Sequence, residues 1–393
     1  MLQTERLINA LVDGPRFLRA KILKMLLKLE ESDKSLVPTK KDKVVLNFAS
    51  NYYYSLYSPS LCAYTAYRAG LKAVAVNDYA SLSAGKEFFK ACKVLGLPCS
   101  IGYHAECVPL FNEKKASCYV YGIAHNQIKN LNEELKPIRE EKKQHVEALV
   151  KKINSRLKKY SVFIPIKDVF ASSLYNKGGA VTEKHVAKIL SKKILEKYNE
   201  QSLLDFLSGV LKIQVNGEDK DCLLAKNNKY LSEDLTRIIY NNIEVFKAGE
   251  TLREAEEFIA INKNYGGITA YKLRIKNYDE EFLSHAVKEL KKRNFEAVCF
   301  DDASLSKEDA KKTTNFILQN GLLPIAVNRM GMPRQIIPQG EMDEKLYQCM
   351  LAVVGSSIST YFDVEDGIFG VNTLLKCPEL ETRIDLFRKI IND

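Results

Sequence analysis

Apolar positions fall into two rhythms along this chain. Short, nearly unbroken apolar runs recur at VVLNF (44–48), AVAVN (73–77), AVCF (297–300) and LLPIAV (322–327), the pattern of parallel strands buried on both faces. Between them lie stretches with helical spacing: SPSLCAYTAYRAGL opens on a Ser-Pro start signal and closes on Gly70, and SLSAGKEFFKACKVLGL closes near Gly96. The strands PCSIGYH and SCYVYG follow, and then a long charged helix from about Gln127 to Lys159. The middle third reads as mostly helical, and strand–helix alternation returns at GGITAYKL and continues to LLPIAVN. ELETRIDLFRKIIND closes the chain as a helix. The predicted fold is α/β, a distorted parallel β/α barrel of TIM-like form carrying an inserted helical subdomain. The predicted parts are a helical leader at 1–43, the first part of the barrel at 44–125, the insertion at 126–265, the second part at 266–376 and a terminal helix at 377–393.

The leader, LINALVDGPRFLRAKILKMLLKLEE, has apolar residues at helical spacing with a break at Gly14-Pro15. Its second half is a basic amphipathic helix, and two readings stay open: it packs on its own domain or it lies on a membrane surface. No apolar run approaches the roughly 18 residues a membrane span needs. No secretory leader pattern is seen, and nine cysteines occur without a CxxC pair, so reduced thiols packed as small hydrophobes in a cytoplasmic protein are expected.

A formal charge of +10 raises the question of nucleic acid. Lysine rather than arginine supplies most of it, scattered in pairs such as Lys151-Lys152 and Lys291-Lys292, which reads as a solvated surface. P-loop, dinucleotide-binding and nucleophile-elbow signatures are absent. Of the five histidines, His145, His185 and His285 stand on helices among Lys and Glu and read as surface residues. His104, on a strand, reads as a hydrogen-bonded pocket residue.

Strand ends of β/α barrels carry the reactive groups. Here VVLNFASNYYYSLYSPS runs from a strand into Asn47, Ser50, Asn51 and Tyr52-Tyr53-Tyr54. AVNDYASLSAGKEFF presents Asp78, Gly85, Glu87 and Phe88; the next strands end in Gly102-Tyr103-His104 and Tyr119-Val120-Tyr121-Gly122; NRMGMPRQ holds Arg329 and Arg334. In this order, and with GGAVTEKHVAKIL and YGGITAY further on, the stretches resemble the polymerase-and-histidinol-phosphatase (PHP) family of metal-dependent phosphoesterases over almost the whole chain. The resemblance implies a multinuclear metal site at the strand ends. The chain departs from it at the ligands: the family's His-x-His pair is replaced by Ala49 and Asn51, an acidic position by Ala80, a glutamate by His104, and Arg329 falls where an acid is expected. Ala has no donor atom and Asn only a neutral carbonyl, while a cluster of divalent ions needs many His and carboxylate donors at once.

What remains at the predicted mouth is Asn47, Asn51, Tyr52, Asp78, His104, Tyr119, Arg329 and Arg334, a set suited to an anion such as a small phosphorylated ligand. The alternative for Arg and Asp is a bridge closing a dead pocket. The expected function is a non-catalytic anion-binding or regulatory barrel with no cofactor. One alternative is a residual phosphoesterase holding a single Zn, Mn or Fe ion through Asp78, His104, Asp301 and Asp302. A second is a basic scaffold associated with nucleic acid.

Overall fold

The computed structural model describes residues 2–33, 37–39, 42–113, 116–246, 252–328, 330–331, 335 and 342–392. The chain forms two compact units, one of residues 1–135 and 252–393, the other of residues 136–251.

The first unit is built on a seven-stranded sheet in chain order: β1 (Val44–Phe48), β2 (Ala73–Tyr79), β3 (Cys99–Cys107), β4 (Ala116–Tyr121), β5 (Ile268–Lys272), β6 (Ala297–Phe300) and β7 (Leu323–Ala326). Its helices are α1 (Leu2–Asp13), α2 (Arg16–Ser32), α3 (Pro59–Arg68), α4 (Gly85–Leu95) and α5 (Ile128–Glu134). The second unit contributes α6 (Lys136–Leu157), α7 (Ile166–Ala171), α8 (Glu183–Leu195), α9 (Glu200–Gly209), α10 (Gly217–Leu224) and α11 (Leu231–Asn242). The first unit resumes with α12 (Ala255–Asn262), α13 (Glu280–Lys292), α14 (Lys307–Gln319), α15 (Glu344–Ser359), α16 (Val371–Lys376) and α17 (Leu380–Asn392).

Every residue of β1, β2, β6 and β7 is buried, as parallel strands covered on both faces must be. The sheet departs from the all-parallel expectation at β4, which pairs antiparallel with both β3 and β5. Residues 108–115 are too few for the crossover a parallel pair needs, so the chain turns back on itself. The sheet curls without closing fully. Among the described residues β1 and β7 form no continuous ladder; a single parallel bridge pairs Phe48 of β1 with Met330, beyond the end of β7, with Ala49 N donating to Met330 O (2.6 Å) and Met330 N to Asn47 O (2.9 Å).

Helix limits follow local chemistry. Ser58 caps α3 by accepting from Leu61 N, with Pro59 as the first helical residue, and α4 ends on Gly96 at φ +63°. Below the sheet, α15 is buried along most of its length and crosses α17 so closely that a Cβ on Gly355 would sit 2.0 Å from Phe387 O.

The second unit has its own apolar core, from Val146, Leu149 and Ile153 of α6 to Leu235 and Ile239 of α11. Inside it Lys142 Nζ lies 2.7 Å from Glu183 Oε1, both side chains almost fully buried, and His145 Nε2 lies 3.3 Å from the same oxygen. Burial alone would raise the Glu183 carboxyl, but Lys142 and the hydrogen bonds around it hold it well below the usual carboxylate range. Two of the three helix histidines expected at the surface are therefore corrected. His185 is 1% exposed, its Nδ1 accepting from Thr182 N in a capping box, and His145 joins the buried ion pair. His285 is exposed as expected.

Candidate functional site

Strand register sets out the site. Tyr79 of β2 stands beside His104 of β3, and His104 beside Tyr119 of β4, so three rings form a row across three strands. Tyr119 and His104 stack with centroids 5.2 Å apart, and Tyr79 meets His104 edge-on at 5.7 Å. Tyr53, from the loop after β1, closes over them 5.2 Å from His104 and 5.9 Å from Tyr79. All four rings are buried, His104 at 5% exposure.

Asn77 fixes the imidazole. Its Nδ2 donates to Tyr103 O (3.2 Å) and Val120 O (3.4 Å), so Oδ1 is the atom facing His104 Nδ1 at 2.9 Å. An amide oxygen only accepts, so His104 carries a proton on Nδ1. Gly102 makes this approach possible: a Cβ there would lie 2.1 Å from Val120 O and 3.0 Å from Asn77 Nδ2. Deeper in the barrel, Tyr121 OH donates to Asn47 Oδ1 (3.0 Å), Asn47 Nδ2 donates to Ala326 O (3.3 Å), and Cys299 Sγ lies 3.6 Å from the same phenol. Burial pushes the Cys299 thiol up to about 12 and the Tyr121 phenol well above its ordinary value.

Alternation along β2 sends Asp78 to the face opposite Asn77 and Tyr79. There Ser50 engages the carboxyl at both oxygens, with N donating to Oδ1 (2.7 Å) and Oγ to Oδ2 (2.6 Å). Asp78 is 1% exposed. Two residues on, Ala80 holds φ +43° and donates its N–H to His104 O (2.8 Å).

The leader reaches this end of the sheet. Arg16 donates to Tyr52 OH (3.3 Å), and Arg16 and Arg19 both reach the Glu87 carboxylate, Arg19 through two contacts of 3.0 and 3.2 Å. Ser60 adds N–H and hydroxyl bonds to Glu87 Oε1 (3.1 and 2.8 Å). The two arginines were not among the expected site residues; their i, i+3 spacing on a helix facing a buried Glu in the first turn of α4 is the signal that marks them.

Of the expected mouth residues, the fold brings Asn47, His104 and Tyr119 into the barrel interior and puts Tyr52 under Arg16. Asn51 lies in the loop, its N bonded to Tyr57 O (2.8 Å) and its buried Oδ1 without a hydrogen-bond partner among the described residues. Asp78 does not face His104. Arg329 and Arg334 lie outside the described residues. Asp302 accepts from Asn328 Nδ2 (2.8 Å) and its carboxyl is raised by burial. It lines a cleft of about 430 Å³ with Asn328, Val45, Lys43, Lys307 and Lys311, beside β1. Among the described residues no three His, Cys, Asp or Glu side chains converge as a metal-holding group. No described helix is long and apolar enough to cross a membrane.

No family model matches the chain, and no curated protein does. Solved structures do match. A protein from Bifidobacterium adolescentis assigned as a metal-dependent phosphoesterase superposes with a TM-score of 0.54 at 12% identity, over 80% of this chain and 98% of that one. An amidohydrolase from Chromobacterium violaceum, with bound sulfate and no metal, superposes with a TM-score of 0.54 at 11% identity, over 79% and 96%. At such identities the likeness is one of fold: the chain has the curled, mostly parallel β/α architecture of a metal-dependent phosphoesterase and of an amidohydrolase.

Proposed function

We propose that this protein is a non-catalytic descendant of a PHP-like phosphoesterase, a barrel that binds a small anion or serves a regulatory role without a multinuclear metal site. The observation that carries this reading is the fate of its two best surviving donors. Asp78 has both oxygens engaged by Ser50 on one face of the sheet, while His104 is hydrogen-bonded to Asn77 and enclosed by Tyr53, Tyr79 and Tyr119 on the other. Donors facing apart cannot share an ion. Ala80 supports the same reading: φ +43° suits Asp and Asn far better than Ala, so the backbone keeps the form of an acidic ligand after the side chain has gone.

One observation favours the residual-enzyme reading. Asn51 Oδ1, at a position matching a family ligand, is buried without a partner among the described residues and could accept from a ligand or face one cation.

The test is metal analysis of protein purified without chelator, together with phosphomonoester hydrolysis in the presence of Zn, Mn or Fe. Sub-stoichiometric metal and no metal-dependent turnover are expected. Near-stoichiometric metal that is lost in His104→Ala, with turnover lost alongside it, overturns the proposal. Anion binding is read separately, as a rise in melting temperature with inorganic phosphate.

A further inference from the structure

We propose that the outward face of α2 docks on an anionic phospholipid surface. The helix has two faces of different chemistry. Ile22, Leu23, Leu26 and Glu30 are buried against the first unit. On the other side Phe17, Lys21, Lys24 and Lys28 follow the i, i+4, i+7, i+11 line of one helix face, with Leu18 and Met25 alongside. All six are exposed, Phe17 at 80%. No acid among the described residues pairs with any of the three lysines.

The helix cannot turn this face inward. Arg19 is tied to buried Glu87, and buried Glu30 accepts from Tyr64 OH (3.2 Å) and Arg68 (3.1 Å). The lysine row is thus held outward by the fold and needs no ordering when it meets a surface. Its chemistry selects the occupant. Three amines ask for a negatively charged partner, and the apolar side chains beside them ask for something soft enough to take a phenyl ring without a shaped pocket. A single helix presents a convex surface, so a protein partner would need a matching groove, whereas a bilayer accepts a helix lying flat with lysines at the headgroups and Phe17 below them. This inference does not depend on what the barrel interior binds.

The chain contains no tryptophan, so Phe17→Trp places a single reporter on this face. Phosphatidylcholine vesicles containing phosphatidylserine are expected to shift its emission to the blue at low salt, and pure phosphatidylcholine to leave it unchanged. Each lysine at an anionic surface contributes about fivefold. Replacing Lys21, Lys24 and Lys28 together by Gln should therefore weaken partitioning about a hundredfold. The same change at exposed Lys151, Lys152 and Lys158 of the second unit should leave it intact. Absence of a blue shift, or equal loss in the two triple variants, overturns the proposal. So does an α2-dependent affinity for RNA or an acidic protein with vesicles ignored.

Discussion

Replacing His104 separates a packing residue from a metal ligand. In His104→Ala, a ring in contact with Tyr53, Tyr79 and Tyr119 is removed from a site at 5% exposure. Losing a buried aromatic side chain costs about 3–5 kcal/mol. Asn77 Oδ1, 2.9 Å away and buried, also loses its partner, and an orphaned buried acceptor adds about 1–3 kcal/mol. The sum, about 4–8 kcal/mol, is comparable with the whole stability of an ordinary domain, about 5–15 kcal/mol. His104→Phe keeps a ring against the three tyrosines and forfeits only the hydrogen bond, so about 1–3 kcal/mol is expected. Hydrogen exchange on peptides covering β2 and β3, read by mass spectrometry with urea unfolding in parallel, reports the opening free energy of this region apart from the second unit. The expected order of protection is wild type, then Phe, then Ala, the same with chelator or with added Mn. Two results would refute the reasoning. One is an Ala variant within about 0.5 kcal/mol of wild type, as at an indifferent surface position. The other is a wild type stabilised by metal at a hundredfold excess over Kd, worth about 2.7 kcal/mol, with that gain abolished in the variants.

Ala49→His places a donor at a buried position facing Gly331, where a Cβ built on the glycine already comes within 3.1 Å of the Ala49 Cβ. Overpacking of about 1–3 kcal/mol is expected in urea unfolding, with no gain in Mn or Zn binding by calorimetry. Seven of the nine cysteines are buried, and burial raises the thiols of Cys62, Cys92, Cys118, Cys299 and Cys349. Alkylation of the native protein near neutral pH should therefore label Cys222 and Cys377 first, and the rest only after unfolding, as peptide mapping will show. In the second unit the Glu183 carboxyl is held below its unfolded value of 4.5, so the stability it contributes is fully present above that pH and declines as the pH falls below it. Lys142→Met leaves Glu183 buried without its closest cation, at a cost of about 3–5 kcal/mol; because that carboxyl then rises, the deficit measured by urea unfolding should be largest above pH 4.5 and shrink in acid.

Strands buried on both faces were legible because their apolar runs are continuous, and α3 and α4 because Ser58-Pro59, Gly70 and Gly96 punctuate them. The stretch that became α15, EKLYQCMLAVVGSSIS, was not assigned. Val, Gly and Ser are poor helix formers and no polar face interrupts the apolar residues; burial between sheet and α17 makes it helical. The antiparallel β4 follows from a connection length whose meaning appears only once both strand limits are known. For the site, the strand ends could be singled out from the sequence, but which face each residue takes depends on register. Neither the Tyr79–His104–Tyr119 row nor the outward turn of Asp78 is visible until β2, β3 and β4 are aligned. The Lys142–Glu183 ion pair with His145 beside it was missed because i, i+3 Lys and His on a charged helix look like surface until α8 covers them.

The mouth also explains why the proposed loss of metal would be a change of the whole constellation. An emptied multinuclear site leaves polar atoms buried with nothing to bind, each costing about 1–3 kcal/mol. Only two repairs are available: fill the space with apolar rings or give each polar atom a protein partner. On the proposed reading this barrel would use both, with Asn51 Oδ1 left over among the described residues. Tyr53, Tyr79 and Tyr119 occupy the space around His104, while Asn77 holds its Nδ1, Ser50 holds Asp78, and Tyr121 holds Asn47. These contacts interlock, because Ala80 N–H bonds the carbonyl of His104 and Asn77 bonds the carbonyls of Tyr103 and Val120 in the two strands beyond it. A single ligand introduced here therefore meets a packed ring or an engaged carboxyl in place of an open coordination position, and its cost is felt across three strands.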